Sequence, residues 1–389
     1  MSNLRKSVLS WGQKKFAANA NDYSPVKWSK YFVSQKDVFI GNNKFHVYTI
    51  GENGPLLVSI HGGGYSALTW SLFAEEIIHR IDCQLIAIDL RGHGSTITEN
   101  DEDLSLETLA KDITDVLLTL YGESMPPIIL VGHSLGGAVA VEAASLINAA
   151  GVCVIDVVEG TALESLSSMQ SILRGRPSSF KTIDDAIQWS FRGGQTHNLE
   201  AARVSMPGQI KNVKTGVLAA EDAEIEKVIQ IDGPPKQKKM VHQRSADAID
   251  EEVEDEIKSS DQGSSHKLPP AISSNGNDNF RHPSTNNYVW RIDLSKTEPF
   301  WTGWFKGLSQ KFLDIHSPKV LLLANIHGLD TSLTVGQMQG KFQLQVLPRS
   351  GHAIHEDQPH HVADIIAGFL VKQRLAEPRN GFTPHMPAC

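Results

Sequence analysis

The sequence predicts an α/β protein whose mostly parallel central sheet is covered by helices on both faces. Two observations predict this class: apolar runs alternate with segments of helical periodicity, and each run is apolar at nearly every position. Strands that helices bury on both faces have such continuous runs, whereas strands with one solvated face alternate. The 389 residues fit one large α/β domain with an insertion.

The first predicted elements form an antiparallel hairpin. Strands at 38–40 and 44–50 flank the turn Gly41-Asn42-Asn43, and alternation around a Gly-Asn turn is typical of hairpins. An apolar strand at 55–61 follows, and then an amphipathic helix around 70–80. From here on, strands and helices alternate.

The middle of the chain continues this alternation. The continuous apolar run at 84–90 predicts a strand, and residues 106–120 have apolar positions at helical spacing. A strand and tight turn at 127–137 lead into a helix of small residues at 138–149, followed by a buried strand at 152–158. These elements predict the centre of the parallel sheet.

The second half of the chain contains the last strands and two irregular regions. Residues 160–210 are expected to form a helical cap over the site, with ordinary packing helices as the alternative. Residues 319–325 and 341–348 predict the last two strands, and a final helix is expected at 359–372. The polar stretch 232–286 carries blocks of like charge, so we expect a disordered insertion.

The resulting domain organisation is a single catalytic domain at 25–380 with flexible ends at 1–24 and 381–389. The formal net charge of −8, from 36 Lys+Arg and 44 Asp+Glu, argues against nucleic acid or anionic membrane as partners. No window is apolar enough to span a membrane, and no secretory signal opens the chain. We therefore expect a monomeric intracellular protein, cytoplasmic or nuclear.

The motif Gly132-His133-Ser134-Leu135-Gly136 predicts a nucleophilic serine. It matches G-x-S-x-G directly after an apolar strand and before a helix of small residues. A strained strand-to-helix turn exposes the serine oxygen, and glycines on either side give the turn room. The alternative is a glycine-rich turn that only allows close helix packing.

A loop earlier in the chain predicts the groups that stabilise an oxyanion. His61-Gly62-Gly63-Gly64 follows a strand, and such a loop can aim the Gly63 N–H at a developing negative charge. The N–H of Leu135, directly after the nucleophile, is the expected second donor. The alternative is a plain glycine-rich turn.

The general base is expected to be a histidine after the last strand. Four histidines lie in that part of the chain, namely His352, His355, His360 and His361. The spacing favours His352, because it lies just beyond the strand that ends near Pro348, where the chain returns to the carboxyl edge of the sheet.

Spacing alone leaves the acid open between two aspartates. Asp156 ends the stretch VCVID of the predicted strand, and Asp330 lies after the strand at 319–325, where most hydrolases of this architecture place the acid. Either one could instead cap a helix or turn. With either acid, the set predicts serine ester hydrolysis through an acyl-enzyme, without a metal or another cofactor.

Several longer stretches resemble the protein phosphatase methylesterase family, a group of α/β-hydrolases. Hydrolases in general share motifs such as HGGGYSALTW and LVGHSLGGAVAV, whereas IDVVEGTA, RGRP and GKFQ are specific to this family. The similarity covers roughly residues 25–380 apart from the acidic insertion. The resemblance implies the α/β-hydrolase fold and a triad of Ser134, Asp156 and His352, with the aspartate one strand earlier than in most hydrolases.

The resemblance also implies a substrate and a partner. Members of the family remove the methyl ester from the C-terminal leucine of the protein phosphatase 2A catalytic subunit, and contact with the phosphatase aligns their triad. Residues 160–210 and the aromatic residues Trp301, Trp304 and Phe305 are candidate walls of the groove, although aromatics there could equally be core. The alternatives are a small-ester hydrolase of the same fold and a protein that binds and stabilises inactive phosphatase.

Overall fold

The strands pair into two sheets. The computed structural model describes residues 21–122, 124–222, 287–325 and 329–384. The strands in these ranges are β1 (Ser34–Ile40), β2 (Asn43–Ile50), β3 (Leu56–Ile60), β4 (Gln84–Ile88), β5 (Ile128–His133), β6 (Gly151–Ile155), β7 (Ser179–Phe180), β8 (Ile210–Asn212), β9 (Tyr288–Trp290), β10 (Lys319–Leu323) and β11 (Gln343–Val346).

The α-helices alternate with the strands of the larger sheet, as the sequence predicts. They are α1 (Ser71–Ile78), α2 (Leu106–Tyr121), α3 (Leu135–Leu146), α4 (Glu159–Arg174), α5 (Ile183–Arg192), α6 (Leu199–Ser205), α7 (Glu298–Phe305), α8 (Leu308–Asp314), α9 (Thr331–Met338), α10 (Ile354–Asp357) and α11 (Pro359–Lys372). Within the described ranges, no helix combines the length and the apolar character needed to cross a bilayer.

The larger sheet has the order β1-β2-β4-β3-β5-β6-β10-β11. Its first two pairings, β1 with β2 and β2 with β4, are antiparallel, and every later pairing is parallel. The predicted hairpin and the predicted mostly parallel sheet are therefore confirmed. Because β5, β6 and β10 are neighbours, the residues that follow their carboxyl ends meet at one edge of the sheet.

Helices cover both faces of this sheet and create two separate cores. Consecutive strand residues point to opposite faces, so that Leu56 and Val58 of β3 join one core and Leu57 joins the other. Helices α2, α3, α7 and α8 contribute to the first core, and α1 and α11 contribute to the second. The continuous apolar strands of the sequence thus reflect burial on both faces.

The region predicted as a helical cap is not entirely helical. Helices α4, α5 and α6 are joined by a small antiparallel sheet in the order β7-β9-β8, in which β9 comes from the far side of the acidic insertion. A third apolar cluster, with Phe180 and Tyr288 among its buried members, lies in this region. Strands of two or three residues are too short to give a periodic signal, so the sequence missed them.

The predicted insertion at 232–286 lies outside the described residues, as do residues 1–20 and 385–389 of the predicted flexible ends. Hydrogen bonds connect the described residues on the two sides of this insertion. The Asp222 carboxylate accepts hydrogen bonds from the Asn212 amide at 2.9 Å and from the Tyr288 hydroxyl at 3.4 Å. A short linker can therefore join the two ends without distorting the small sheet.

We accordingly propose that residues 235–285 can be removed without loss of the fold. Replacement of this stretch by a short Gly/Ser linker is expected to change Tm by less than about 2–4 °C, the shift that about 1 kcal/mol produces in a large domain. Hydrolysis of a small ester should be unchanged. Calorimetry and an ester assay measure both, and a large fall in Tm would contradict the single-domain organisation.

Candidate active site

Ser134 lies in a strained turn between β5 and α3. Its φ of 53° and ψ of −121° belong to a region that non-glycine residues rarely adopt. A Cβ on Gly132 would lie 2.1 Å from the Gly136 carbonyl oxygen, and one on Gly136 would lie 2.2 Å from the Ile60 carbonyl oxygen. Only glycine fits on either side of the serine, which is the physical basis of the motif.

Asp156 and His352 form a hydrogen-bonded pair beside this turn. Asp156 Oδ2 lies 2.8 Å from His352 Nδ1, and Asp156 Oδ1 accepts the Ala324 N–H at 2.9 Å. Burial alone would raise the pKa of Asp156, but the hydrogen bond and charge of His352 and the Ala324 amide hold this pKa below its usual value. The ionised carboxylate orients Nδ1–H toward itself and leaves His352 Nε2 as the basic atom.

The link between the serine and the histidine is open. Ser134, Asp156 and His352 line one cavity of about 270 Å³. Within the described part of the chain, however, the Ser134 hydroxyl has no hydrogen-bond partner. The predicted acid and base, Asp156 and His352, are thus already paired, whereas the contact that would activate the predicted nucleophile is not made.

Asp330, the other candidate acid, has a different role. Its Oδ1 accepts the Leu333 N–H at the start of α9, which is a side-chain helix cap, and its Oδ2 is bonded to the Ser309 hydroxyl. Nδ1 of His352 is already taken by Asp156. The structure therefore brings together Ser134, Asp156 and His352 and leaves Asp330 as a cap.

The two predicted oxyanion donors border a larger cavity, which Ser134 and His352 also line. Leu135 is the first residue of α3, so its N–H has no partner within the helix, and a Cβ on Gly63 would lie 3.7 Å from Leu135 Cδ2. The neighbouring N–H groups are occupied: Gly64 donates to His93 Nε2 at 2.9 Å and Tyr65 donates to the Gly62 carbonyl at 3.2 Å. The N–H groups of Gly63 and Leu135 therefore remain available to donate hydrogen bonds to an oxyanion.

Two buried histidines shape the glycine-rich loop. His61 Nε2 accepts the Leu90 N–H at 3.0 Å, and its Nδ1–H donates to the Gly62 carbonyl at 2.8 Å. His93 donates from Nδ1 to the Arg91 carbonyl, and burial lowers the pKa of His93 to about 4. Both rings are neutral at pH 7 and hold the loop, so His61 and His93 have structural roles.

His133 is a site residue that the sequence analysis missed. Its Nε2–H donates to the His352 carbonyl at 2.9 Å, and its ring lies 4.7 Å from the His352 ring and 4.5 Å from the His355 ring. Burial lowers the pKa of His133, so the ring is neutral. Because this residue is a variable position of G-x-S-x-G, no local signal marks its contact with the loop that contains His352.

Glu356 is a buried acid directly behind this loop. It accepts a hydrogen bond from the Thr69 hydroxyl at 2.5 Å, and His355 Nε2 lies 2.8 Å from the same hydroxyl. Burial raises the pKa of Glu356 to about 7 from its usual 4.5, and the neighbouring Asp357 adds to this rise. Between about pH 4.5 and pH 7, Glu356 is therefore protonated in the folded protein and ionised in the unfolded chain.

This raised pKa predicts a pH-dependent stability. The contribution of Glu356 is fully present below about pH 4.5 and is lost as the pH rises to about 7, at a cost of about 3 kcal/mol in the free energy of unfolding. The Glu356→Gln variant should lack this loss, while the exposed Glu107→Gln control should retain it. Urea titrations at pH 5 and pH 8 measure the difference, and equal pH dependence in all three proteins would contradict the prediction.

A larger cavity of about 520 Å³ extends from the serine over mostly apolar walls. The apolar residues around it are Met169, Ile172, Leu173, Trp189, Leu294, Trp301, Trp304 and Phe305. Three aromatic residues of α7, Trp301, Trp304 and Phe305, thus belong both to this wall and to the core beneath it. Within the described ranges, no three His, Cys, Asp or Glu side chains are grouped as metal ligands would be.

Comparison with known sequences gives a consistent set of relatives. Residues 57–365 match the profile described as the Alpha/beta hydrolase family. Protein phosphatase methylesterase 1 of Mus musculus is 47% identical, over 95% of this chain and 90% of its own. The protein of the same name from Schizosaccharomyces pombe is 35% identical, over 94% of this chain and 91% of its own.

Solved structures with this fold are more distant in sequence. E-2-(Acetamidomethylene)succinate hydrolase superposes with a TM-score of 0.58 at 17% identity, over 87% of this chain and 99% of its own. An esterase from Mycobacterium tuberculosis superposes with a TM-score of 0.54 at 17% identity, over 87% of this chain and 92% of its own. At 17% identity, these similarities show a shared fold.

Proposed function

Since the chain belongs to the protein phosphatase methylesterase 1 family of α/β-hydrolases, we propose that it demethylates the C-terminal leucine of the protein phosphatase 2A catalytic subunit. The protein is a carboxylic ester hydrolase. The proposal concerns its substrate and the residues that act on it. The observation that carries it is the Asp156–His352 pair beside Ser134, at the end of an apolar cavity.

The shape and chemistry of the cavity suit a terminal leucine. Its apolar wall offers a place for a branched aliphatic side chain, while Ser134 and the two proposed oxyanion donors border the same space. An apolar side chain of this size gains roughly 1.5–3 kcal/mol when it is removed from water. A leucine side chain bound against this wall would hold the ester carbonyl near the serine.

The site is also open enough for a protein terminus. A further cavity of about 580 Å³ shares Leu173, Arg176 and Leu294 with the cavity of about 520 Å³ that the serine lines. The two cavities therefore adjoin at these residues, and we infer that they form one groove. A tail of several residues can lie along it in extended form, which a pocket for a small ester would not require.

Helix α4 at the edge of the groove supports a protein partner. None of its residues is fully buried, and Ile172 is 59% exposed although it lines the cavity. We infer that the phosphatase surface covers this helix. Such contact would also bring Ser134 and His352 together, since their hydrogen bond is missing in the isolated chain.

The proposed reaction follows from the positions of these groups. His352 Nε2 takes the proton of Ser134 Oγ as the oxygen attacks the ester carbonyl, and Asp156 stabilises the resulting imidazolium. The N–H groups of Gly63 and Leu135 hold the oxyanion. Methanol leaves with the proton from His352, and water then releases the free carboxylate from the acyl-enzyme.

Methylated phosphatase 2A tests the proposal. We expect the wild-type chain to remove the terminal ester, as followed by mass spectrometry of the C-terminal peptide, and the Ser134→Ala variant to bind the phosphatase without removing it. If both chains bind but neither removes the ester, the protein only holds the phosphatase. If the wild type cleaves small esters and leaves the phosphatase methylated, it is a small-ester hydrolase.

A further inference from the structure

Among the residues that the structure describes, none forms an ion pair with Arg176 in the wall of the groove. Its guanidinium carbon lies 3.9 Å from the centre of the Trp290 ring and 5.7 Å from that of Trp189. The Trp290 indole is itself fixed, because its N–H donates to the Pro177 carbonyl at 2.7 Å. Among the described residues, no oxygen accepts a hydrogen bond from the Arg176 guanidinium.

This environment leaves the hydrogen-bonding capacity of Arg176 unused. Stacking on an indole occupies the face of the guanidinium and leaves its five N–H donors free at the edge. Burial lowers the pKa of Arg176, which means that its charge lacks the solvation or counter-ion that would stabilise it. Because a planar guanidinium matches a carboxylate in bidentate geometry, the missing partner is best supplied as a carboxylate.

The surroundings of Arg176 favour an anion in the groove. Among the described residues, no Asp or Glu lines the cavity of about 520 Å³, where Arg176 and His352 are the basic side chains. The adjoining cavity adds Arg174, and its one carboxylate, Asp293, already accepts the N–H and the hydroxyl of Ser295. The hydrogen bonds from Ser295 do not cancel the charge of Asp293, but two arginines against one carboxylate leave a net positive charge near Arg176.

The location of Arg176 indicates which part of a substrate it meets. The esterified terminus must place its carbonyl at Ser134, next to Gly63 and Leu135. Arg176 lies on the boundary shared with the adjoining cavity, together with Leu294, whose side chain packs against the glycine-rich loop. The tail that precedes the terminal residue leads into that cavity.

We propose that Arg176 binds the side-chain carboxylate of an acidic residue a few positions before the esterified terminus of the substrate tail. The inference rests on the proposed function, since it requires a peptide in the groove. Arg176 would then be a specificity residue: it touches the substrate but not the reacting atoms. The stacked tryptophans hold its side chain in place, so that little side-chain entropy is lost when the tail binds.

Binding measurements test this without relying on turnover. The Ser134→Ala chain is titrated with four fluorescent hexapeptides that end in a leucine methyl ester. Each peptide carries a single Asp, at a different one of the four positions before the leucine, and each has a matched peptide with Asn in that place. We expect one Asp position to lower Kd about tenfold to hundredfold relative to Asn, as a charge-assisted pair does. Adding Arg176→Gln should abolish this difference, Arg176→Lys should keep part of it, and the exposed Arg192→Gln should keep all of it.

Other outcomes would overturn the inference. Equal Kd values for the Asp and Asn peptides at every position would show that Arg176 meets no acidic side chain. Loss of affinity for both kinds of peptide in Arg176→Gln would indicate a structural role, and a fall in Tm would accompany it. If Arg176 instead favours the free-acid form of an all-Asn peptide over its ester, it binds the product carboxylate.

A turnover assay keeps this inference separate from the proposed function. The chain with Ser134 intact is given the same Asp and Asn methyl esters. Hydrolysis of both at equal kcat/KM retains the function and rejects the role of Arg176. Hydrolysis of neither, with Asp-dependent binding intact, retains the carboxylate site and shows that a peptide tail alone does not assemble Ser134 and His352, so that the assay on methylated phosphatase decides the proposed function.

Discussion

Replacing Ser134 with alanine is expected to lower kcat for ester hydrolysis by about 10⁶-fold, the loss found when the nucleophile of a serine triad is removed. The strained backbone at Ser134 presents its side chain to the cavity, and no hydrogen bond to another described residue restrains the hydroxyl. Alanine removes the attacking oxygen and leaves the oxyanion donors and the apolar wall in place. A single-turnover assay with a chromogenic ester measures the loss.

Ser165→Ala is the matched control for this variant. Ser165 lines the same cavity, but its hydroxyl donates to the Ala162 carbonyl within α4 at 2.7 Å. Its removal should change kcat by less than about twofold, since a surface substitution of this kind costs within roughly 0.5 kcal/mol. Comparable losses in the two variants, or activity retained in Ser134→Ala, would remove Ser134 as the nucleophile.

Replacing Asp156 with asparagine is expected to lower kcat by about 10⁴-fold. The amide can still accept the Ala324 N–H through its oxygen, which directs its NH₂ group toward His352 Nδ1. This contact favours the tautomer with the proton on Nε2, so the imidazole cannot accept the serine proton. The loss should appear in kcat, while the affinity for peptide esters is largely retained.

Asp330→Asn provides the control for the acid. Asp330 caps α9, and asparagine is an equally good capping residue, so neither activity nor stability should change by much. If Asp330→Asn loses about 10⁴-fold and Asp156→Asn does not, the acid has been assigned to the wrong strand. Circular dichroism of both variants establishes that the fold is retained.

Local patterns were enough to predict the parts of the fold that depend on local interactions. The hairpin, helix α2 and the turn at Ser134 each follow from a short stretch: an alternating pattern, a 3.6-residue period or glycines that no other residue can replace. The final helix was predicted with its observed ends, Pro359 and Lys372. Proline at the first helical position made its start unambiguous.

Contacts between distant segments lay beyond the reach of the sequence. Asp156 and Asp330 both follow strands, and spacing could not choose between them. In the folded chain, β6 pairs directly with β5, which brings Asp156 beside the serine turn and to His352. Arg176 and Trp290 lie on opposite sides of the acidic insertion, so no period or motif links them.

The most direct test of the central claim is covalent labelling with a fluorophosphonate ester, followed by mass spectrometry of the digested chain. We predict one adduct, on Ser134, that forms in the wild type and much more slowly in Asp156→Asn and His352→Ala. The same chain labelled in the presence of a leucine methyl ester peptide should react more slowly, because the peptide occupies the site. An adduct on a different residue, or equal labelling rates in the wild type and His352→Ala, would contradict a serine activated by this histidine and aspartate.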